Sequence, residues 1–168
     1  MNGKKGTAKR GLAPLIGNAG EYLVMGELLR RGVIAALAPR NAPDFDILAT
    51  DHENAVHIRV KTKKAKDWQW NAKTGDWKSE VFKKKGRHDF CALVDLSEED
   101  KPPRFFVVPT RLLERKLQRN HRKWQKGLGI KGQVRSQNNT RRILGECSSL
   151  FNGRIEGDWK VLGLKFNL

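Results

Sequence analysis

The stretch Pro43–Lys64, PDFDILATDHENAVHIRVKTKK, carries the clearest architecture in the chain. Asp44 to Thr50 predicts a strand, Asp51-His52-Glu53-Asn54 a hairpin turn rich in turn formers, and Ala55 to Thr62 a second strand. That second strand alternates cleanly. Val56, Ile58 and Val60 fall on one face, and His57, Arg59 and Lys61 on the other. On the same alternation Asp44 and Asp46 share a face, opposite Phe45, Ile47 and Ala49. If the strands pair as a hairpin, Asp44, Asp46, Arg59 and Lys61 gather on one surface.

Upstream, residues 17–31 follow a helical pattern. Asn18 stands at the start, Ala19, Leu23 and Gly26 recur on one face beside Tyr22, Met25 and Leu29, and Gly32 closes the run. VIAALA (33–38) reads as a short buried strand stopped by Pro39. Downstream, AKTGD (72–76) predicts a turn between two exposed strands, forming a basic, tryptophan-containing hairpin insertion. HDFCALVDL (88–96) and RFFVVP (104–109) predict apolar neighbouring strands, and Thr110 caps a helix over RLLERKLQRN. Residues 121–140 read as irregular, followed by a short helix near 142–150 and a final strand, WKVLGLKF. The order indicates an α/β (α+β) domain with a mixed central sheet flanked by helices. Residues 1–16 form a basic, glycine-rich arm, and 17–168 a single domain with its core in about 17–120 and a basic extension over 121–168.

Charge sets the partner. Thirty-four Lys and Arg stand against 18 Asp and Glu, a net charge of +16. A field of that size draws in polyanions, of which nucleic acid is the commonest. Between Lys61 and Lys85 the cations Lys63, Lys64, Lys66, Lys73, Lys83, Lys84 and Lys85 are interleaved with Trp68, Trp70 and Trp77. A second basic block from Arg111 to Arg142 includes Arg122, Lys123, Arg141 and Arg142, with Trp124 among them and Glu114 as its one acid. Basic side chains neutralise phosphates and exposed tryptophans stack on unpaired bases. The same tryptophans also suit cross-strand packing, and for Trp68 and Trp70 both readings stand. Cys91 and Cys147 have no companion ligands at zinc spacing, so they read as free thiols of a reducing, cytoplasmic compartment. Pro14 and the glycines break any apolar run at the N-terminus, which excludes a signal peptide, and no stretch reaches membrane-helix length.

Two carboxylates and a lysine on one strand surface are the elements of a metal-assisted phosphodiester hydrolase. Mg²⁺ takes carboxylate oxygens, polarises the phosphate and generates hydroxide, and a lysine stabilises developing charge. Strand-end aspartates facing solvated basic residues would give the same pattern without any chemistry.

GEYLVMGELLRRG, then PDFDIL, then IRVKT resembles, in order and spacing, the PD-(D/E)XK nuclease superfamily, in particular small proteins similar to Holliday junction resolvases and restriction endonucleases. The resemblance covers about residues 17–108. It implies a restriction endonuclease-like αβββαβ core, Mg²⁺ as cofactor and DNA, including branched DNA, as substrate. It also implies a homodimer by analogy. By position, Glu21 matches the first-helix carboxylate, Asp46 the metal-binding aspartate, with Asp44 beside it, and Lys61 the lysine. Arg59 departs from the family, which has Glu or Gln there. Arginine has no acceptor and stays charged. A +1 charge about 5 Å from a +2 ion, at an effective dielectric of about 20, is repelled by roughly 6–7 kcal/mol. Pointed inward, Arg59 would pair with Asp46 or Glu21 and replace the cation. Swung outward, it would leave Glu53, Glu80 or His57 to supply a migrated ligand. The expectation is a DNA-binding protein of nuclease fold with Mg²⁺-dependent hydrolysis weak or impaired. Its alternative is a non-catalytic nucleic-acid-binding or architectural protein, with RNA as a third choice.

Overall fold

A computed structural model of the chain describes residues 12–64, 67–144 and 155–167. Helix α1 (Leu12–Leu29) leads into β1 (Ile34–Leu37), β2 (Ile47–Thr50) and β3 (Ala55–Lys63). Then follow β4 (Asp67–Asn71), β5 (Asp89–Asp95), β6 (Arg104–Pro109), α2 (Thr110–Lys126) and β7 (Thr140–Leu144). The central sheet has the order β1-β2-β3-β5-β6, and β4 pairs with β7 in a separate two-stranded sheet. All pairings are antiparallel except β3 with β5, so the central sheet is mixed as expected. The second helix follows β6, and the connection from β3 to its parallel neighbour β5 carries β4.

The hairpin forms where the turn chemistry predicts. Ile47 stands opposite Ile58 and Thr50 opposite Ala55. The Asp51 carboxylate accepts the N–H groups of Glu53 and Asn54 at 3.0 and 2.7 Å, and its second oxygen accepts Lys165 N–H at 2.7 Å. These donors hold its carboxyl down at about 2, and they tie the chain's C-terminal segment to the turn.

Each face of the central sheet has its own core. Val24 and Leu28 of α1 cover Ile47, Ala49, Val56, Ile58 and Phe90, and Trp159, Leu162 and Leu164 complete that cluster. On the opposite face Leu113 and Leu117 of α2 pack with Cys91, Leu93, Phe106 and Val108, together with Trp68, Phe82 and Ile143 from the β4–β7 layer. Nonpolar burial on both faces accounts for the apolar runs of β5 and β6, which lack strict alternation.

Several boundaries differ from those expected. Helix α1 starts at Leu12, inside the supposed arm, because Pro14 sits in the first turn, where a missing N–H costs nothing. Its buried stripe is Gly20, Val24 and Leu28, while Tyr22 and Leu29 are exposed. β1 is an edge strand with alternating partial exposure, so VIAALA is not a buried strand. The 72–76 turn does not join two hairpin strands; β4 finds its partner in β7, whose Trp68↔Ile143 pair closes the α2-side core. α2 continues to Lys126, since His121 extends its buried face through the segment read as irregular. Thr110 does not act as a side-chain cap, and its hydroxyl instead lies 3.4 Å from the Cys91 thiol. Arg142–Leu144 belongs to β7 rather than to a helix, and the rest of that expected helix lies outside the described residues. The expected last strand is a 3-10 helix, Trp159–Leu162, stopped by Gly163 at φ 69°. That turn lets both Trp159 and Leu162 reach the core.

The tightest helix–sheet approach is at Gly20. A Cβ there would stand 1.8 Å from Thr62 Oγ1 and 3.0 Å from its Cβ. Gly20→Ala is expected to destabilise the protein by roughly 1–3 kcal/mol through overpacking. Adding Thr62→Ala should restore much of that loss. Equal melting temperatures for wild type and Gly20→Ala, or strictly additive losses in the double variant, would refute this contact.

Candidate active site and nucleic-acid interface

β3 is covered on both sides. Its even positions face α1, and its odd positions carry Arg59, Lys61 and Lys63 toward the α2 side. There each cation lies over an aromatic ring. Arg59 is 5.7 Å from the Phe82 centroid, Lys61 is 5.9 Å from Trp70, and Lys63 is 4.1 Å from Trp68. A ring face attracts a cation at such distances and shields it from water. The tryptophans thus serve the strand that carries the candidate site.

Asp46 sits just before β2. Ile47 and Ala49 are buried with α1, which puts Asp46 on the side of Arg59 and Lys61. Its N–H donates to Ile58 O at 2.9 Å, and its Oδ2 accepts Val60 N–H at 2.7 Å. The carboxylate is therefore oriented by the next strand. It also acts on two neighbours. Burial pushes the Glu21 carboxyl above its ordinary range, Asp46 pushes it further, and Arg40 opposes both. Burial pushes the Lys61 ammonium below its ordinary value, with Asp46 acting in the opposite sense. Asp46 is thus a charged neighbour of both Glu21 and Lys61. Glu21 and Asp46 line an open cleft of about 320 Å³ with Asn18, Tyr22 and Arg40.

Arg59 does not join these residues as a replacement cation. Its guanidinium donates to Pro43 O at 3.2 Å and to Asp44 Oδ1 at 3.4 Å. Asp44 precedes β2 and accepts from Arg59, so it is not free as the second metal ligand the alternation suggested. The migrated ligands fail as well. Glu53 pairs with Lys165, Glu80 with Lys85, and His57 with Asp89. Among the described residues no three of His, Cys, Asp and Glu come together as a metal cage. Two carboxylates in mutual repulsion nevertheless suit a hard cation of the kind held by one or two carboxylates and completed by substrate phosphate. Cys91, in register with Arg59, is buried and its thiol is pushed up to about 12 by that burial, so it is no nucleophile.

The basic surface divides into structural and available cations. Lys63 is buried against Asp95 at 2.9 Å, and Arg141 is fully buried, donating to Asn138 O, Thr74 O and Asp76 O. Trp68 is buried in the core. These three, expected on the nucleic-acid surface, instead hold the β4–β7 layer together. Lys64 pairs with Glu99, and Lys85 with Glu80 and Phe82 O. Lys66 lies outside the described residues. Lys73, Lys83, Lys84, Arg122, Lys123 and Arg142 are exposed. Arg122 lies 4.6 Å from the half-buried Trp77 ring. The loop bearing Lys83 and Lys84 is anchored by a residue that sequence reasoning left without a role. Buried Glu114 of α2 accepts the N–H groups of Val81 and Phe82 at 3.1 and 2.9 Å. Its signal was visible as the lone acid of a basic helix.

No protein-family model and no curated protein matches the chain. Among solved structures it is similar to the bacterial homing endonuclease I-Ssp6803I, with a TM-score of 0.56 at 13% identity, over 91% of this chain and 95% of that one. The likeness is one of fold: the chain shares the architecture of that endonuclease. The Holliday junction resolvase Hjc of Archaeoglobus fulgidus aligns with a TM-score of 0.47 at 19% identity, over 90% of this chain and 98% of that one. The restriction endonuclease-like fold expected from the sequence is supported by the first of these likenesses, at the level of fold alone. No helix among the described residues is long and apolar enough to cross a membrane.

The burial of Glu21, reinforced by repulsion from Asp46, has a measurable consequence. The folded pKa of Glu21 lies above its unfolded value, so its ionisation disfavours the fold: stability is greatest below the unfolded value and declines as pH rises through the folded one. Glu21→Gln is expected to melt slightly higher than wild type at pH 7–8, with the difference vanishing toward pH 4. A lower melting temperature across that range would contradict the repulsion.

Proposed function

We propose that this protein binds DNA through its basic surface and carries at Glu21, Asp46 and Lys61 a phosphodiester-hydrolysing site that Arg59 weakens. The observation that carries this reading is geometric: Asp46, held by Val60 N–H next to Lys61, lines one open cleft with Glu21 in a nuclease-type fold. Glu21 and Asp46 would hold a Mg²⁺ ion, whose role when bound is to polarise the phosphate and acidify a water. Asp46 orients one oxygen through Val60 N–H and leaves the other available. Lys61, half-buried over Trp70, supplies positive charge for the negative charge that develops on phosphate. Arg59 offers donors where an acceptor is wanted, and its charge is only partly offset by Asp44 at 3.4 Å. That pairing favours a second reading, a nuclease fold retained for binding without cleavage.

DNA binding is tested by fluorescence anisotropy across a salt series. The log–log slope should be about −0.9 per phosphate neutralised. Replacing the exposed Lys83 and Lys84 by Ala should flatten it by about 1.8 and weaken binding to all sequences alike. Absence of binding at low salt, or an affinity indifferent to salt, would rule the proposal out.

A further inference from the structure

Beyond α2 the chain makes a small hairpin that the site does not use. Leu128 bridges Val134, Gly129 N–H donates to Gln133 O at 2.8 Å, and Gly132 N–H donates to Gly129 O at 2.9 Å. Gly132 is left-handed at φ 76°, the arrangement of a three-residue hairpin loop with Ile130 and Lys131 at its tip. The base is fixed by Arg135, which donates to Trp124 O at 2.8 Å. This hairpin presents three largely exposed aliphatic side chains. Leu128 is 62% exposed, Val134 83%, and Ile130 105%.

What surrounds them selects the occupant. No acid stands between Arg115 and Arg142, and Lys126, Lys131 and Arg135 flank the hairpin. A second copy of this chain docking here would bring the same cations together. A polyanion with an apolar interior would not suffer that repulsion, and DNA is one, with charged backbones outside and stacked bases within. At the foot of the hairpin lies a cleft of about 560 Å³, lined by Asn120, Lys123, Trp124, Arg135, Asn138 and Arg142. That volume falls in the range of small-ligand sites. Trp124 is already stacked with His121 at 5.3 Å and lies under the Arg135 guanidinium at 5.1 Å, so the cleft offers mainly amide edges and cations.

We propose that the hairpin Leu128–Val134 is a wedge that drives Ile130 into the base stack of bound DNA, while the adjoining basic cleft receives the displaced nucleotide. Apolar wedges of this kind offset the cost of unstacking by the surface they bury. The inference rests on the DNA-binding reading above, and its test separates the two. Duplexes carrying 2-aminopurine, which brightens on unstacking, are titrated with wild type, Ile130→Ser and Lys131→Ala. The wild type should raise the fluorescence several-fold. Ile130→Ser should bind about tenfold more weakly, keep the wild-type salt slope and lose the fluorescence rise. Lys131→Ala should lower the slope and keep the rise. A wild type that binds without brightening the probe, or an Ile130→Ser variant that brightens it as well as wild type, overturns the wedge and leaves DNA binding intact. If Ile130→Ser instead turns a dimer into a monomer without affecting the probe, the hairpin is a contact between copies and the wedge is again overturned. A wild type that does not bind the duplex at all removes both readings.

Discussion

β3 is covered on both faces, and the partly buried one of the two is cationic. Burying charge without compensation costs far more than burying an apolar group, so Arg59, Lys61 and Lys63 each need a partner. The partners found are three aspartates and three aromatic rings: Asp44 and Phe82, Asp46 and Trp70, Asp95 and Trp68. Much of the molecule follows from that requirement. Residues 67–88 fold over β3 to bring the rings into place, β7 returns to pair with β4, and Arg141 closes the layer on the carbonyls of 74 and 76. α2 then seals it, with Glu114 holding Val81 and Phe82 by their N–H groups although burial pushes its carboxyl up.

The same requirement shapes the candidate site. Lys61 lies where burial lowers its affinity for a proton and Asp46 restores part of it. Asp46 is anchored to the strand that bears Lys61. Glu21 is delivered from α1 at the point where Gly20 allows the helix to touch Thr62. A pair of carboxylates in repulsion is a feature that stability alone would not select, and functional sites are where such costs accumulate. Arg59 is held aside by Asp44 rather than buried between them, which leaves the carboxylates unneutralised by any direct pairing with it.

The hairpin 47–58 and strands β5 and β6 were legible because alternation, turn formers and apolar runs act locally. The shared face of Asp46 and Lys61 was legible for the same reason. The roles of Lys63, Trp68 and Arg141 were not, since each depends on a partner far along the chain: Asp95, Ile143 and the 74–76 carbonyls. Composition read the two cations as binding residues because a buried cation and an exposed one look alike in sequence, and it left Trp68 open between stacking and packing. The β4–β7 pairing joins segments about 70 residues apart in a chain whose local turn signals favoured a nearer hairpin. The direction of Arg59 depended on whether Asp44 was a strand residue or a free partner, and β2 begins only at Ile47.

That direction makes Arg59 the residue on which the account turns. The most direct measurement is plasmid nicking by wild type, Arg59→Glu and Arg59→Gln in Mg²⁺, with Asp46→Ala added to each. The glutamine restores an oxygen without setting a second carboxylate against Asp44, and the glutamate adds charge as well. Both should gain Mg²⁺-dependent nicking that the wild type shows weakly or not at all, and Asp46→Ala should abolish the gain. A wild type that nicks as fast as either variant, or variants that gain nothing while still binding DNA, would contradict it.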